Sequence, residues 1–146
     1  MAESVEILRA AQRALRSRFE DFRRAFSRRD AAAYQLAIED FSTHLRRWTL
    51  AQEQVLLPAL ARVPIPGRDA QRELRLELVQ VRELTRFLRE QLAQSAPLSD
   101  TIGLVENLDR RLTAHEKELE SVYFGAAATA LREEEWDALR RAAPAD

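Results

Sequence analysis

The chain contains only two histidines, His44 and His115, and no cysteine. Without thiolates, a metal site would draw chiefly on imidazole and carboxylate. The lack of cysteine excludes a thiolate nucleophile, a Cys-ligated zinc or iron–sulfur site and a disulfide framework. His115 opens the stretch HEKELESVYFGAA (115–127), in which Glu120 follows and Gly125 interrupts an apolar run. A second stretch, WTLAQEQVLLPAL (48–60), has the same layout 67 residues earlier. Trp48 falls on His115, Glu53 on Glu120, Val55 on Val122, Leu57 on Phe124, Pro58 on Gly125 and Ala59 on Ala126. One repeat therefore offers a histidine with a carboxylate, and the other offers an indole with a carboxylate. An isolated Glu–His pair is too common to assign acid–base catalysis. No nucleophile triad and no glycine-rich phosphate loop accompanies it, and no enzymatic activity is expected.

The elements that must position these residues follow from hydrophobic spacing. Four segments carry apolar residues three and four apart. The first, about 4–27, has a seam at Leu8, Gln12, Leu15, Phe19, Phe22 and Phe26. The second starts at Asp30, a good N-cap, and runs through Tyr34, Ile38, Phe41, Leu45, Trp48, Gln52, Val55 and Ala59. The third follows the breaker VPIPG (63–67) and shows Leu74, Leu78, Val81, Thr85, Leu88 and Leu92. The fourth follows SAPLSD (95–100) and shows Val105, Leu108, Leu112, His115, Leu119 and Val122. A short fifth helix is expected from Thr129 to about Ala142, with Thr129 as its cap and Glu133, Glu134 and Glu135 at its positive end. Short connections make sequential helices antiparallel. The predicted fold is all-α: an up-down antiparallel four-helix bundle with a short fifth C-terminal helix, spanning residues 1–146 as one domain. Helix three also repeats helix one, with Leu8 on Leu74, Arg9 on Arg75, Gln12 on Leu78 and Arg16 on Arg82. The bundle thus reads as a duplicated helix pair.

Each long helix contributes one mid-length seam residue to a single layer: Gln12, Trp48, Leu78 and His115. Gln52 and Glu53 lie one turn after Trp48, Arg82 one turn after Leu78, and Glu120 after His115. A layer in which side chains from four helices converge is where bundles build metal sites.

On these residues the chain resembles the hemerythrin-like, His-His-Glu family of four-helix bundles across nearly its whole length. The resemblance implies the bundle fold and a di-iron centre held by histidines and carboxylates. In that family, helix two carries a histidine, paired glutamates a turn later, an apolar run and a proline; helix four repeats the pattern. WTLAQEQVLLPAL has the spacing, with Trp48 at the histidine and Gln52-Glu53 at the glutamate pair. HEKELESVYFGAA keeps His115, with Leu119-Glu120 at the pair and Gly125 where proline is common. LRAAQRALRSRFEDF places Gln12 at the first-helix histidine. LRLELVQVRELTRFL places Leu78 at the third-helix histidine, with Arg82 a turn on. EEEWDAL resembles the short terminal helix of such proteins.

The ligand set that the resemblance implies is depleted here. A neutral amide is a poor iron ligand, and indole and isobutyl are none. Trp48 and Leu78 are read as plugs in a former metal cavity, so the expected cofactor is none. The alternative is an iron or oxygen-binding protein with a reduced site made from His115, Glu120 and Glu53. His44 is read as an edge histidine, and His115 as a core histidine bonded to Gln12, Gln52 or Glu120. Arg82 either neutralises Glu53 and Glu120 or points to solvent.

Composition agrees with a globular domain: 46% hydrophobic and 32% charged residues exclude a disordered chain. With a formal net charge of −1 and interleaved acids and bases, no nucleic-acid footprint stands out. No run approaches the length of a membrane span, and the first residues lack the layout of a signal peptide. The expectation is a cytoplasmic binding or regulatory module. Its partner is an unidentified protein or small molecule, or a second copy of the chain in a homodimer.

Overall fold

The computed structural model describes residues 2–145, and all regular structure among them is helical. In chain order the elements are α1 (Ala2–Ser27), α2 (Ala31–Ala51), a π-helical turn (Gln52–Leu56), α3 (Leu57–Leu60), α4 (Ala70–Ala93) and α5 (Leu98–Glu118). A second π-helical turn (Leu119–Tyr123), α6 (Phe124–Ala130) and α7 (Glu133–Ala142) complete the chain. No helix among the described residues is long and apolar enough to cross a membrane.

The seams read from spacing are the buried faces. Leu8, Phe19, Phe22, Ile38, Phe41, Leu74, Leu78, Leu88 and Leu108 are almost wholly enclosed in one continuous core. Helix α1 packs on α2, α2 on α4, and α4 on α5, while α6 closes against α1 and α3. Phenylalanines fill the α1–α2 contact: ring centroids lie 6.1 Å apart for Phe19–Phe22, 5.2 Å for Phe19–Phe41 and 5.7 Å for Phe22–Phe26. Asp30 caps α2 as expected, its side chain accepting from the Ala33 N–H at 3.2 Å.

Two irregularities recur at the repeat spacing. Helices α1 and α4 both end in a left-handed residue, Arg29 (φ 56°) and Ser95 (φ 54°), 66 residues apart. Each end closes with the same pair of bonds. Arg29 N–H donates to Phe26 O and Asp30 N–H to Ala25 O, while Ser95 N–H donates to Leu92 O and Ala96 N–H to Gln91 O. This pattern satisfies the last carbonyls of a helix. The two π turns are 67 residues apart, and each bonds from i to i−5: Leu57 N–H to Gln52 O, Phe124 N–H to Leu119 O. In the first, widening of the helix accommodates Pro58, which has no N–H and whose ring would crowd the carbonyl four residues back. Helix two is therefore not broken at Pro58, but continues through α3 to Leu60. The internal repeat holds at the level of backbone irregularities, which apolar matching alone does not produce.

The C-terminal helix starts later than expected. Thr129 sits inside α6, in an alanine-rich run with high helical propensity. The break comes at Leu131, which is extended, and α7 begins at Glu133. Its N-cap is Arg132, whose N–H donates to the Glu135 carboxylate at 2.8 Å.

Candidate functional site

Gln12, Trp48, Gln52 and His115 line one small cavity between α1, α2 and α5, with Leu112, Glu116 and Leu119 beside them. Its volume is about 30 Å³, which leaves room for ordered water. Trp48 and Gln52 are each 2% exposed. Leu78 is fully buried but does not line this cavity. Three of the four residues of the expected layer thus share one space, together with Gln52.

The imidazole of His115 is buried, and Nδ1 lies 2.9 Å from Glu77 Oε2. With the proton on Nδ1, the ring donates to Glu77 and Nε2 is left to accept from another partner. The partner differs from the three anticipated ones. Gln12 instead donates to the Glu116 carbonyl at 3.4 Å, and Glu120 points away.

The carboxylates that the repeat singles out have separate fates. Glu53 Oε1 accepts from Arg82 Nη2 at 2.6 Å, and both side chains are about four-fifths buried. Glu120 accepts from Arg9 Nε at 2.9 Å on an exposed flank. Arg16, the repeat equivalent of Arg82, does not pair with a carboxylate of the π turns. It holds Asp109 at 2.6 Å and Glu116, both on α5, and its guanidinium lies 5.6 Å from the Phe19 ring centroid. Burial pulls the Arg16 pKa down, but hydrogen bonds to Glu116 and Asp109 outweigh it, and the net shift is upward. His44 lies at the edge, half-buried, with Nε2 3.4 Å from Asp40 Oδ1 of the preceding turn.

These positions test whether a di-iron unit fits. The His115–Glu77 pair is the kind of carboxylate contact that orients a ligating imidazole, so His115 by itself is suited to a metal. The rest of the donor set is not. Gln12 is a neutral amide, Trp48 and Leu78 offer no donor, Glu53 is engaged by Arg82, and Glu120 faces outward with Arg9. Among the described residues no three His, Asp or Glu side chains converge on one point suited to a metal. The residues present do not fit a pair of iron ions.

A second buried titratable group adjoins this region. Tyr123, in the second π turn, is 1% exposed. Burial, followed by the nearby Glu73, Glu77 and Glu118 carboxylates, pushes its phenol pKa up to about 12 against a partial opposing effect of Arg68. Glu77 therefore faces both His115 and Tyr123. It sits one residue off the α4 seam, where spacing of apolar residues carries no signal. No family model, curated protein or solved structure gives a match to this chain.

Proposed function

We propose that the chain is a hemerythrin-like up-down four-helix bundle that no longer holds its di-iron centre and serves as a metal-free binding or regulatory module. Support for the up-down arrangement comes from the short connections and from the order of packing, α1 on α2, α2 on α4, α4 on α5. The duplicated π turns and left-handed helix ends support a repeated helix pair.

The observation that carries the loss of metal is the content of the inner cavity. Where ligands would converge, Trp48 fills the space, and about 30 Å³ remains beside Gln12, Gln52 and His115. An indole buries on the order of 150–250 Å² of surface, and metal affinity depends on ligand number, type and geometry. The space that Trp48 leaves has room for water. The module then acts through its outer surface, on a protein, a small ligand or a second copy of itself. Anaerobic titration of the purified chain with ferrous iron, followed by admission of oxygen, tests the reading. No saturable iron uptake and no oxo-to-iron absorption are expected. Stoichiometric uptake that disappears in His115→Ala would replace this reading with the reduced-site one.

A further inference from the structure

We propose that the outer groove between α2 and α4 binds a small phosphate monoester through a row of arginines. The groove lies on the flank of α2 next to the cavity, with Leu45 lining both, and the inference stands whether or not the inner site has lost its metal.

The groove has a volume of about 210 Å³ and is lined by Arg46 and Ser42 of α2 and by Arg82, Glu83, Arg86 and Arg89 of α4. Arg82, Arg86 and Arg89 are spaced four and three apart, so their side chains leave the same flank of α4 one turn after another. Arg46 faces them from the neighbouring helix. Four guanidiniums thus border a space of small-molecule size in a chain whose formal net charge is −1.

The pairing of these arginines is incomplete. Arg46 is exposed and makes no ion pair among the described residues. Arg82 spends Nη2 on Glu53, while its Nη1 is buried without an acceptor. Arg89 holds Glu39 at 2.6 Å, and Arg86 holds Glu83 at 2.7 Å and Glu90 at 2.6 Å. These last pairs are half-exposed, and exposed pairs contribute little, so an arriving anion exchanges for them at small cost. Glu83 is the one carboxylate in the lining, and Arg86 holds it with both Nε and Nη2.

A phosphate monoester matches this donor set. Its several oxygens accept from planar guanidinium forks two at a time, which a single carboxylate does not fill. The hydroxyl of Ser42 adds a neutral contact. Glu39, Glu53 and Glu90 are the ion-pair partners of Arg89, Arg82 and Arg86, and together with Glu83 they disfavour a long polyanionic backbone relative to a compact ligand.

The test is titration calorimetry of the full chain with glycerol phosphate and with inorganic phosphate, against sodium chloride at matched ionic strength. Saturable binding of the phosphates and none with chloride is expected, weakened about tenfold or more in Arg46→Ala. Arg46 is exposed, so the thermal midpoint of that variant should match the parent. Arg86→Gln should weaken binding similarly, and Arg140→Ala, on α7, should leave it unchanged. If the monoester binds more tightly than inorganic phosphate, the natural ligand carries its phosphate as an ester; equal affinity assigns the groove to the free anion. Absence of saturation, or equal loss in Arg140→Ala, would overturn the proposal.

Discussion

Arg82 Nη2 and Glu53 Oε1 lie 2.6 Å apart, with 20% and 19% of the two side chains exposed. The pair joins α4 to the π turn that follows α2, and so ties the wall of the outer groove to the segment carrying Gln52 into the inner cavity. A carboxylate at this position would be costly to bury alone. Its charge is met by a guanidinium from the neighbouring helix.

Removing one partner should therefore cost more than a surface ion pair does. Arg82→Ala and Glu53→Ala should each destabilise by about 1.5–3 kcal/mol, the range for hydrogen bonds to charged groups. The double variant should be less destabilised than the sum, because the second removal no longer strands a charge. Chemical denaturation of the four proteins checks this. Additive losses, or losses under about 0.5 kcal/mol typical of surface sites, would show that the pair does not hold the π turn.

Trp48 should prove to be a structural core residue. Trp48→Ala should cost about 3–5 kcal/mol, as expected for deleting a large buried ring, out of a stability of roughly 5–15 kcal/mol for a domain. Denaturation followed by circular dichroism measures it without interference from Trp136. An unchanged midpoint would contradict the plugged-cavity reading.

The Tyr123 phenol predicts a loss of stability at high pH. Its folded pKa of about 12 lies above the ordinary phenol value of 10.0. The native state therefore favours the neutral form. Stability is fully present below pH 10 and is lost as pH rises through the interval between 10 and 12. The loss should approach about 2–3 kcal/mol. Tyr123→Phe, which cannot ionise, should flatten this part of the pH–stability curve. A variant curve that still falls in parallel with the parent would assign the loss to other groups.

Gly125 offers a gain. It is exposed within α6, and a Cβ built there meets nothing within 4 Å. Gly125→Ala should stabilise by about 0.5–1 kcal/mol, by lowering the conformational freedom of the unfolded chain. Thermal melts of the two proteins give the comparison. A destabilised variant would mean that the second π turn depends on glycine beside it.

The helical core was legible because burial writes itself into spacing. Leu8, Phe19 and Phe22 on α1, or Leu74, Leu78 and Val81 on α4, can be assigned to one face without coordinates. The Asp30 cap was legible for the same reason, since its chemistry is local. The π turn at Gln52–Leu56 was half-announced by Pro58, but its partner at Leu119–Tyr123 contains no proline and left no trace. The charged partners were least legible. Glu120 comes five residues after His115, about 140° around an α-helix from it, and it faces outward to Arg9. Glu53 has the same spacing from Trp48, yet Arg82 covers it. Local spacing cannot distinguish those outcomes, because they depend on which neighbouring helix presents an arginine at that height.

We propose that Gln12, Trp48, Leu78 and His115 do not assemble an iron site. The most direct measurement is elemental analysis of the chain purified from iron-supplemented cells, together with its visible spectrum. Far less than one iron per chain and no oxo-to-iron absorption band are expected. Two irons per chain, with that band, would contradict the proposal.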